Sequence, residues 1–211
     1  MSTPIASMGV KDAIAARHSV RTFTKTPLTQ AEIDELLDAA RNAPSSLNSQ
    51  PWRIKVVTNP QDVAWFGTSE ASRKQSWLAN AAAILIFCAD LEHYVKDSQA
   101  AAFFFRENKI IDGEPMDGIE AYVAHEAQNA ELAKFGACAM NVAIAESFLM
   151  LRAVEMGLGT CWIGMFDEGA IKAKFGLSAG LRVVNIMAVG HPDEPEVYPR
   201  KRKTMDEIAL G

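Results

Sequence analysis

The pattern of apolar and polar residues predicts two helices near the start of the chain. Residues 10–14 carry an apolar stripe at helical spacing, so a first helix is predicted to end near Arg17. Thr29, followed three residues later by Glu32, has the form of a capping box and precedes further apolar residues at helical spacing. The second helix is therefore predicted to begin at Thr29 and to end before Pro44, which cannot continue it.

Four later segments have the composition of β-strands. Residues 53–58 are rich in β-branched side chains with rough alternation, which predicts a strand with one covered face. Residues 81–89 are continuously apolar, as expected for a strand that is buried on both faces and central in its sheet. Residues 161–165 are predicted to form a short strand, and residues 181–190 another buried one.

A long helical pattern covers residues 120–156, with Gly157 as its C-terminal stop. Residues 135–154 are apolar on nearly every side, which predicts a buried helix. Asn141 and Glu146 interrupt this apolar run. The segment is therefore interpreted as a core or dimer-interface helix and not as a membrane span.

These elements predict one α+β domain over residues 1–211. A further helix is capped by Asp167 and ends at Gly176, between the last two strands. Glycine and proline are spread thinly, without a linker-like cluster or a repeat of fixed period. Residues 92–118 are expected to form an excursion from the sheet, where a lid would lie, and residues 199–211 a tail that is basic at its start.

Composition narrows the class of protein. The chain has 211 residues, of which 49% are hydrophobic and 22% charged, as in soluble globular proteins. A formal net charge of -5 leaves no overall positive field to attract nucleic acid. The amino end, residues 1–9, lacks the pattern of a signal peptide, and no apolar stretch reaches the length of about 20 residues that spans a membrane. Three cysteines without CxxC spacing indicate a reducing compartment, so we expect a cytoplasmic protein without membrane or nucleic-acid partners.

Several other kinds of site find no support in the sequence. The four histidines are not paired with cysteine or carboxylates at ligand spacing, so no metal site is expected. Gly157-Leu158-Gly159 follows a helix and precedes a strand, which is the reverse of a dinucleotide-binding fingerprint. Ser45 and Ser46 lack the G-x-S-x-G setting of a hydrolase nucleophile.

Three separated segments are rich in groups that can hold a flat, anionic cofactor. They are residues 17–21 (RHSVR), residues 44–52 (PSSLNSQPW) and residues 200–203 (RKRK). The guanidinium groups and the hydroxyl of the first and third suit a phosphate, while the hydroxyls and carboxamides of the second suit the edge of a heterocycle. Together they indicate a nucleotide or flavin mononucleotide. Taken singly, each segment could instead be a solvated surface run or a turn.

The combination resembles the nitroreductase family of flavoproteins. Residues 17–21 are similar to the family's R-x-S-x-R/K segment, and residues 44–52 to its P-S-x-x-N-x-Q-P-W loop. Residues 162–164 are similar to the segment that runs past the flavin ring, and residues 202–207 to the closing R-K-x-x-E-E run. The resemblance extends over residues 10–208.

The resemblance implies a nitroreductase-like α+β fold, with a mixed central β-sheet flanked by helices, in an intertwined homodimer that holds FMN at the subunit interface. It also implies an NAD(P)H-dependent oxidoreductase that passes two electrons to nitroaromatics, quinones or similar small acceptors by a ping-pong mechanism. Two alternatives remain open. One is a flavin-binding storage or sensor module without turnover, and the other is a specialised superfamily member such as a dehalogenase or a flavin-cleaving lyase.

The resemblance further implies which residues bind FMN. Basic and hydroxyl groups of the first and third segments would hold the phosphate and ribityl chain, Arg21 would lie near N1 and O2, and Ser45, Ser46 and Asn48 would reach the flavin from the partner subunit. A backbone N–H near Gly164 would face N5. The flavin itself does the redox chemistry, so no catalytic protein residue is expected. The expected cofactor-binding residues are Arg17, His18, Ser19, Arg21, Pro44, Ser45, Ser46, Asn48, Gln50, Lys74, Gln75, Ile163, Gly164, Arg200 and Arg202.

The chain departs from the family pattern at two places. Many members carry an asparagine followed by lysine or glutamine before the central strand, whereas this chain has Arg73-Lys74-Gln75, so either Lys74 or Gln75 would take that role. Some members have Glu-Gly beside the ring where this chain has Gly164-Met165. Which amide faces N5 is therefore left open.

Overall fold

The computed structural model describes residues 8–129, 131–194 and 200–209. The strands are β1 (Trp52–Val57), β2 (Ala83–Asp90), β3 (Gly159–Ile163) and β4 (Leu181–Gly190). The helices are α1 (Val10–Ala16), α2 (Gln30–Arg41), α3 (Pro60–Trp65), α4 (Ser69–Ser72), α5 (Leu91–Glu107), α6 (Glu114–Gln128), α7 (Glu131–Glu155), α8 (Glu168–Phe175) and α9 (Met205–Ile208). Residues 1–7 of the amino end, and residues 199, 210 and 211 of the predicted tail, lie outside the described residues.

The four strands form one sheet in the order β1-β2-β4-β3, and all neighbours are antiparallel. The α+β fold is confirmed, and so is the central position of β2, whose residues are all buried. The expected mixed sheet is wrong in detail, because the one parallel pairing within the described ranges is an isolated bridge between Ser19 and Thr160. This bridge does not extend into a parallel strand, because the segment that contains Ser19 turns away from β3. Its residue Phe23 instead pairs with Pro192, which follows β4.

Both faces of the sheet are covered. Leu85, Phe87 and Met187 face α2 and α7 in one buried cluster. The alternate residues of the central strands, such as Ile84 and Ile186, face a second cluster on the opposite side. This two-residue alternation explains why the central strands are apolar at every position.

The predicted ends of several helices are confirmed. Thr29 Oγ1 accepts a hydrogen bond from the Glu32 amide, and the Glu32 carboxylate accepts one from the Thr29 amide, which completes the capping box of α2. Gly157 and Gly176 have φ values of 75° and 62° and follow α7 and α8. Glycine adopts this left-handed conformation at little cost, so it ends both helices.

The long helical pattern over residues 120–156 is divided between α6 and α7. Asn129 has an extended backbone, and its side chain donates a hydrogen bond of 2.7 Å to Glu126 Oε1. Asparagine competes in this way with regular helix, which explains the break that apolar periodicity does not reveal. The excursion over residues 92–118 is largely helical, since it comprises most of α5 and the start of α6.

Helix α7 is long and apolar enough to cross a membrane by length and composition alone. Its apolar character has another explanation in this fold, because α7 packs against α2 and the sheet. Its two interrupting polar residues, Asn141 and Glu146, are buried at 5% and 0% exposure. Both make hydrogen bonds to other parts of the chain.

Candidate functional site

The first cofactor segment, residues 17–21, lies along the outer edge of β3. The Val20 amide donates a hydrogen bond of 2.9 Å to the Thr160 carbonyl, and Ser19 bridges Thr160 in parallel. Gly159 makes this approach possible, because a β-carbon there would lie 2.7 Å from Val20 Cγ2. The glycine that superficially suggests a dinucleotide fingerprint is thus needed for close packing.

The arginines of this segment lie close to the buried end of β3. Burial raises the pKa of the Cys161 thiol, while the charges of Arg21 and Arg17 and a hydrogen bond from Ser19 oppose that rise. The expected site residues Arg17, Ser19 and Arg21 are therefore all near Cys161 on β3. Thr160 Oγ1, next to this point, is buried and has no hydrogen-bond partner among the residues that are described.

The third segment returns to the first one. The Arg200 guanidinium donates hydrogen bonds to the main-chain carbonyls of Arg17 and Ala15, at the C-terminal end of α1. Arg202 is exposed, and its recorded hydrogen bond is to the carbonyl of the neighbouring Lys201. The structure thus brings Arg200 to Arg17, as a shared phosphate site requires.

His18 is held by the protein. Its Nε2 lies 2.8 Å from Glu194 Oε2, and its Nδ1 lies 2.9 Å from the Ala16 carbonyl. The other oxygen of Glu194 accepts a 2.9 Å hydrogen bond from the Arg21 amide. Glu194 therefore fixes the backbone of the first segment. Sequence reasoning missed it, because no local pattern relates residues more than 170 positions apart.

The turn that contains Lys74 and Gln75 packs beside the end of β3. Gln75 Nε2 donates a 2.8 Å hydrogen bond to the Met165 carbonyl, and Arg73 and Lys74 both have left-handed backbones. The carboxamide nitrogen of Gln75 is thus engaged, whereas Lys74 is exposed and has no ion pair within the described ranges. Of the two alternatives, Lys74 is the one with a side-chain donor available to a ligand.

Ile163 and Gly164 continue the same edge. Ile163 is buried at the end of β3, while Gly164 is exposed with open space where a side chain would lie. From the bridge at Thr160 to the contact at Met165, the edge is roughly 17 Å long for extended backbone. It connects the basic end at residues 17–21 with the turn at Lys74.

Ion pairing separates the arginines into two groups. The ten arginines divide equally, and five pair with carboxylates: Arg41, Arg53, Arg106, Arg152 and Arg182. For the other five, the residues that the structure describes provide no carboxylate partner; these are Arg17, Arg21, Arg73, Arg200 and Arg202. Each of them lies in, or next to, a segment expected to bind the cofactor. Such a concentration of unpaired guanidinium groups suits an anionic ligand.

The second segment, residues 44–52, forms a strained loop before β1. Leu47, Asn48 and Gln50 have φ values of 49°, 51° and 43°, although none is glycine. Such conformations cost about 1–3 kcal/mol each and concentrate at functional sites. Ser45 Oγ accepts a 3.0 Å hydrogen bond from the Gln50 amide, which closes the loop on itself.

This loop faces a groove of about 440 Å³ between the loop and α5. The groove is lined by Asn48, Ser49, Gln50, Trp52, Arg53, Asp97 and Ala100. Pro44, Ser46 and Asn48 are exposed, while Ser49 Oγ is buried without a partner among the described residues. The loop therefore presents polar groups at the surface from a firmly held backbone.

The two halves of the expected site are not brought together within one chain. They lie at opposite edges of the sheet, β3 and β1, which are three strand spacings or roughly 14 Å apart. Along the strands, Thr160 aligns through Val189 with Ala83, roughly 20 Å from the Trp52–Ala89 pair, whereas Ile163 aligns through Ile186 with Ile86, roughly 10 Å from that pair. The width of the sheet therefore separates the loop from the end of β3 within one chain.

Comparison with known proteins agrees with this architecture. The family model described as "Nitroreductase family" matches residues 14–191. An NADH dehydrogenase of Thermus thermophilus is 28% identical over 212 residues, which cover 100% of this chain and 99% of that protein. An NADPH-flavin oxidoreductase of Vibrio harveyi is 30% identical over 195 residues, covering 90% of this chain and 68% of that protein. A protein from Exiguobacterium sibiricum that was solved in complex with FMN has a TM-score of 0.78 at 20% identity, covering 99% of this chain and 100% of that one.

Proposed function

This chain belongs to the nitroreductase family, and from that membership we propose that it is an FMN-dependent oxidoreductase that transfers two electrons from NADH or NADPH to a small acceptor. The name of the Vibrio harveyi relative and the FMN bound to the Exiguobacterium sibiricum neighbour support the same cofactor and donor. The observation within this chain that carries the proposal is that Arg17, Arg21, Arg73 and Arg200, which have no carboxylate partner among the described residues, lie near the two ends of β3.

The donor groups at this edge fit FMN. A single terminal phosphate suits guanidinium groups, and the fold brings the Arg200 guanidinium to the backbone of Arg17 at the end of α1. Ser19, which bridges Thr160, adds a hydroxyl at the same end. Lys74 lies at the other end of the edge, beside the contact of Gln75 with Met165, so an elongated anion would meet positive charge at both ends.

The residues of this chain bind and orient, and FMN when bound supplies the two-electron redox chemistry. Arg17, Ser19, Arg200 and Arg202 would hold the phosphate and ribityl chain. Arg21 and Lys74 would place positive charge near the pyrimidine edge, where it favours a more negative flavin. Gly164 has no side chain, so a flat ring has room beside the end of β3.

We propose that the working unit is a homodimer in which loop 44–52 of a second copy completes each site. Ser46, Asn48 and the rest of that loop precede β1, at the other edge of the sheet from β3 and roughly 14 Å away, which favours contact with the flavin of the other chain. Helix α7 supports this assembly with a row of exposed apolar side chains, spaced by eight, four and four residues: Leu132, Met140, Ile144 and Phe148. An exposed apolar row of this kind is suited to burial against an identical row in a two-fold interface.

Nitroaromatics and quinones are the acceptors that we propose. Nicotinamide and acceptor would use the same open face in turn, which gives ping-pong kinetics. We also propose that residues 1–211 form one domain and that residues 92–118 form a lid. A cytoplasmic location is proposed because Cys88, Cys138 and Cys161 are buried free thiols.

An anaerobic titration of the FMN-loaded protein with NADH and with NADPH tests this function. The flavin absorbance is expected to bleach with at least one nicotinamide and to return when a quinone or nitroaromatic is added. A storage or sensor module would retain its absorbance.

A further inference from the structure

Asn141 connects the buried helix α7 to the loop that is expected to contact the flavin. Its side chain is 5% exposed, within an otherwise apolar stretch of the helix. The Oδ1 atom accepts a 2.8 Å hydrogen bond from the Ser46 amide, and Nδ2 donates a 2.9 Å hydrogen bond to the Ala137 carbonyl. The carboxamide thus has one partner in the loop and one in its own helix.

The two partners fix the orientation of this carboxamide. The Ser46 amide can only donate, and the Ala137 carbonyl can only accept. If the carboxamide were flipped, Nδ2 would face a donor and Oδ1 would face an acceptor, so both hydrogen bonds would be lost. A residue that replaces Asn141 must therefore supply an acceptor toward the loop and a donor toward the helix.

The loop depends on such anchors because its backbone is strained. Leu47 has a left-handed backbone that its side chain disfavours, yet it packs against a small apolar cluster of α5 and α6 that contains Ala102 and Met116. The hydrogen bond from the Gln50 amide to Ser45 Oγ is a second anchor. The hydrogen bond to Asn141 is the third, and among the described residues it is the one side-chain hydrogen bond between the loop and α7.

We propose that Asn141 is a positioning residue, which holds loop 44–52 in the conformation that binds FMN across the subunit interface. This inference rests on the proposed function. Asn141 acts through the Ser46 backbone, and the loop residues carry out the binding. Because α7 also carries the exposed apolar row, Asn141 fixes the loop relative to the surface that a second copy would cover.

Three variants of the full-length protein test the inference. Asn141→Leu keeps a similar volume and removes both hydrogen bonds. Asn141→Asp keeps both when its carboxyl is protonated, since the O–H can donate to Ala137, but loses the donor when it ionises. Asn108→Ala is the matched control, because Asn108 Nδ2 also donates to a carbonyl four residues earlier, that of Phe104, and its side chain has no recorded hydrogen bond to the described residues of the loop.

The Kd for FMN and the hydrogen exchange rate of the Ser46 amide are the two measurements. We expect Asn141→Leu to raise the Kd about 3- to 10-fold, as for the loss of one hydrogen bond, and to speed Ser46 exchange, while Asn108→Ala changes neither. For Asn141→Asp, the Kd relative to that of the parent at the same pH should rise as pH rises.

Several outcomes would overturn the inference. Unchanged Ser46 exchange in Asn141→Leu would show that Asn141 does not hold the loop. Faster exchange of the Ser46 amide with an unchanged Kd would show that the hydrogen bond from this amide to Asn141 has no role in FMN binding. If Asn141→Leu fails to fold, a pH-independent Kd ratio for Asn141→Asp would contradict the inference instead. Failure of the parent itself to bind FMN would contradict the proposed function, which separates the two results.

Discussion

Gly159 and Val20 are in such close contact that a β-carbon on the glycine would lie 2.7 Å from Val20 Cγ2. A second close approach lies nearby, since a β-carbon on Gly190 would lie 2.9 Å from Phe23 Cδ1. These glycines let residues 17–23 pack on the end of the sheet. The position of the basic groups at the candidate phosphate site therefore depends on glycine at positions 159 and 190.

Replacing Gly159 tests this dependence. Gly159→Ala must displace the backbone near Val20, so we expect it to lower the free energy of unfolding by about 1–3 kcal/mol and to weaken FMN binding. Gly118→Ala is the control, because Gly118 lies within α6 with open space around it and alanine should stabilise that helix by about 0.5–1 kcal/mol. Urea denaturation and FMN titration measure both effects. If the two variants have the same free energy of unfolding and the same affinity for FMN, the close contact between Gly159 and Val20 is dispensable.

The identity of the cofactor gives a second prediction. The purified protein should be yellow and should release FMN on denaturation, because Arg200 and the basic residues of segment 17–21 lie together and suit a single terminal phosphate. Chromatography of the released flavin distinguishes FMN from FAD. A colourless protein that does not take up added FMN would contradict the assignment, as would the release of FAD.

Arg202 provides a third prediction. Arg202→Ala should weaken FMN binding by about 1.5–3 kcal/mol, the scale of a hydrogen bond between charged groups. Arg106→Ala is the control, since Arg106 is already paired with Asp117 and Glu120 on the surface of α5 and α6. Isothermal titration with FMN compares the two variants. If Arg202→Ala binds FMN as tightly as the parent, Arg202 is a solvated residue of the tail.

Buried Glu146 predicts how stability depends on pH. Its Oε2 accepts a 2.6 Å hydrogen bond from Asn185 Nδ2, but burial is the larger influence and raises its pKa from 4.5 to about 8. The carboxyl group of Glu146 therefore binds its proton more tightly in the folded protein than in the unfolded chain. The contribution of this protonated carboxyl to the free energy of unfolding is complete below about pH 4.5 and is lost as pH rises through about 8.

Glu146→Gln should therefore reduce the loss of stability between pH 5 and pH 8, by an amount on the order of a few kcal/mol. Urea denaturation at the two pH values measures this difference. Glu107→Gln, at an exposed position, should leave the parental pH dependence unchanged. A parental pH dependence in Glu146→Gln would show that Glu146 is not the group that titrates.

Much of the fold could be predicted from local signals in the sequence. The capping box at Thr29 and the glycines at 157 and 176 placed the ends of three helices, and the apolar run at residues 81–89 identified a central strand. These signals are local because a cap or a buried strand is defined by a few consecutive residues. The break at Asn129 was missed, since both flanking segments have helical periodicity.

The arrangement of the candidate site could be predicted only in part. Motif-like segments identified the basic and polar groups, but Glu194 was not found, because its contact with Arg21 joins distant parts of the chain. The choice between Lys74 and Gln75 likewise depended on a tertiary hydrogen bond to Met165. Asn141 was visible in the sequence as a polar residue in an apolar helix, although its partner, Ser46, was not.

Each flavin site is proposed to be built from two chains, and subunit complementation tests this arrangement most directly. One chain carries Arg17→Ala and Arg202→Ala, and the other carries Ser46→Ala and Asn48→Ala. Each homodimer should be weak in FMN binding and activity. In a heterodimer, all four substitutions fall in one site and leave the other site intact.

The measurement is the NAD(P)H-dependent activity of the two variants before and after they are mixed under conditions of subunit exchange. Each heterodimer is expected to regain about half of the parental activity, because one of its two sites has only native residues. If every flavin were bound by residues of a single chain, both sites would remain damaged. Mixing would then restore no activity, and this result would contradict the shared site.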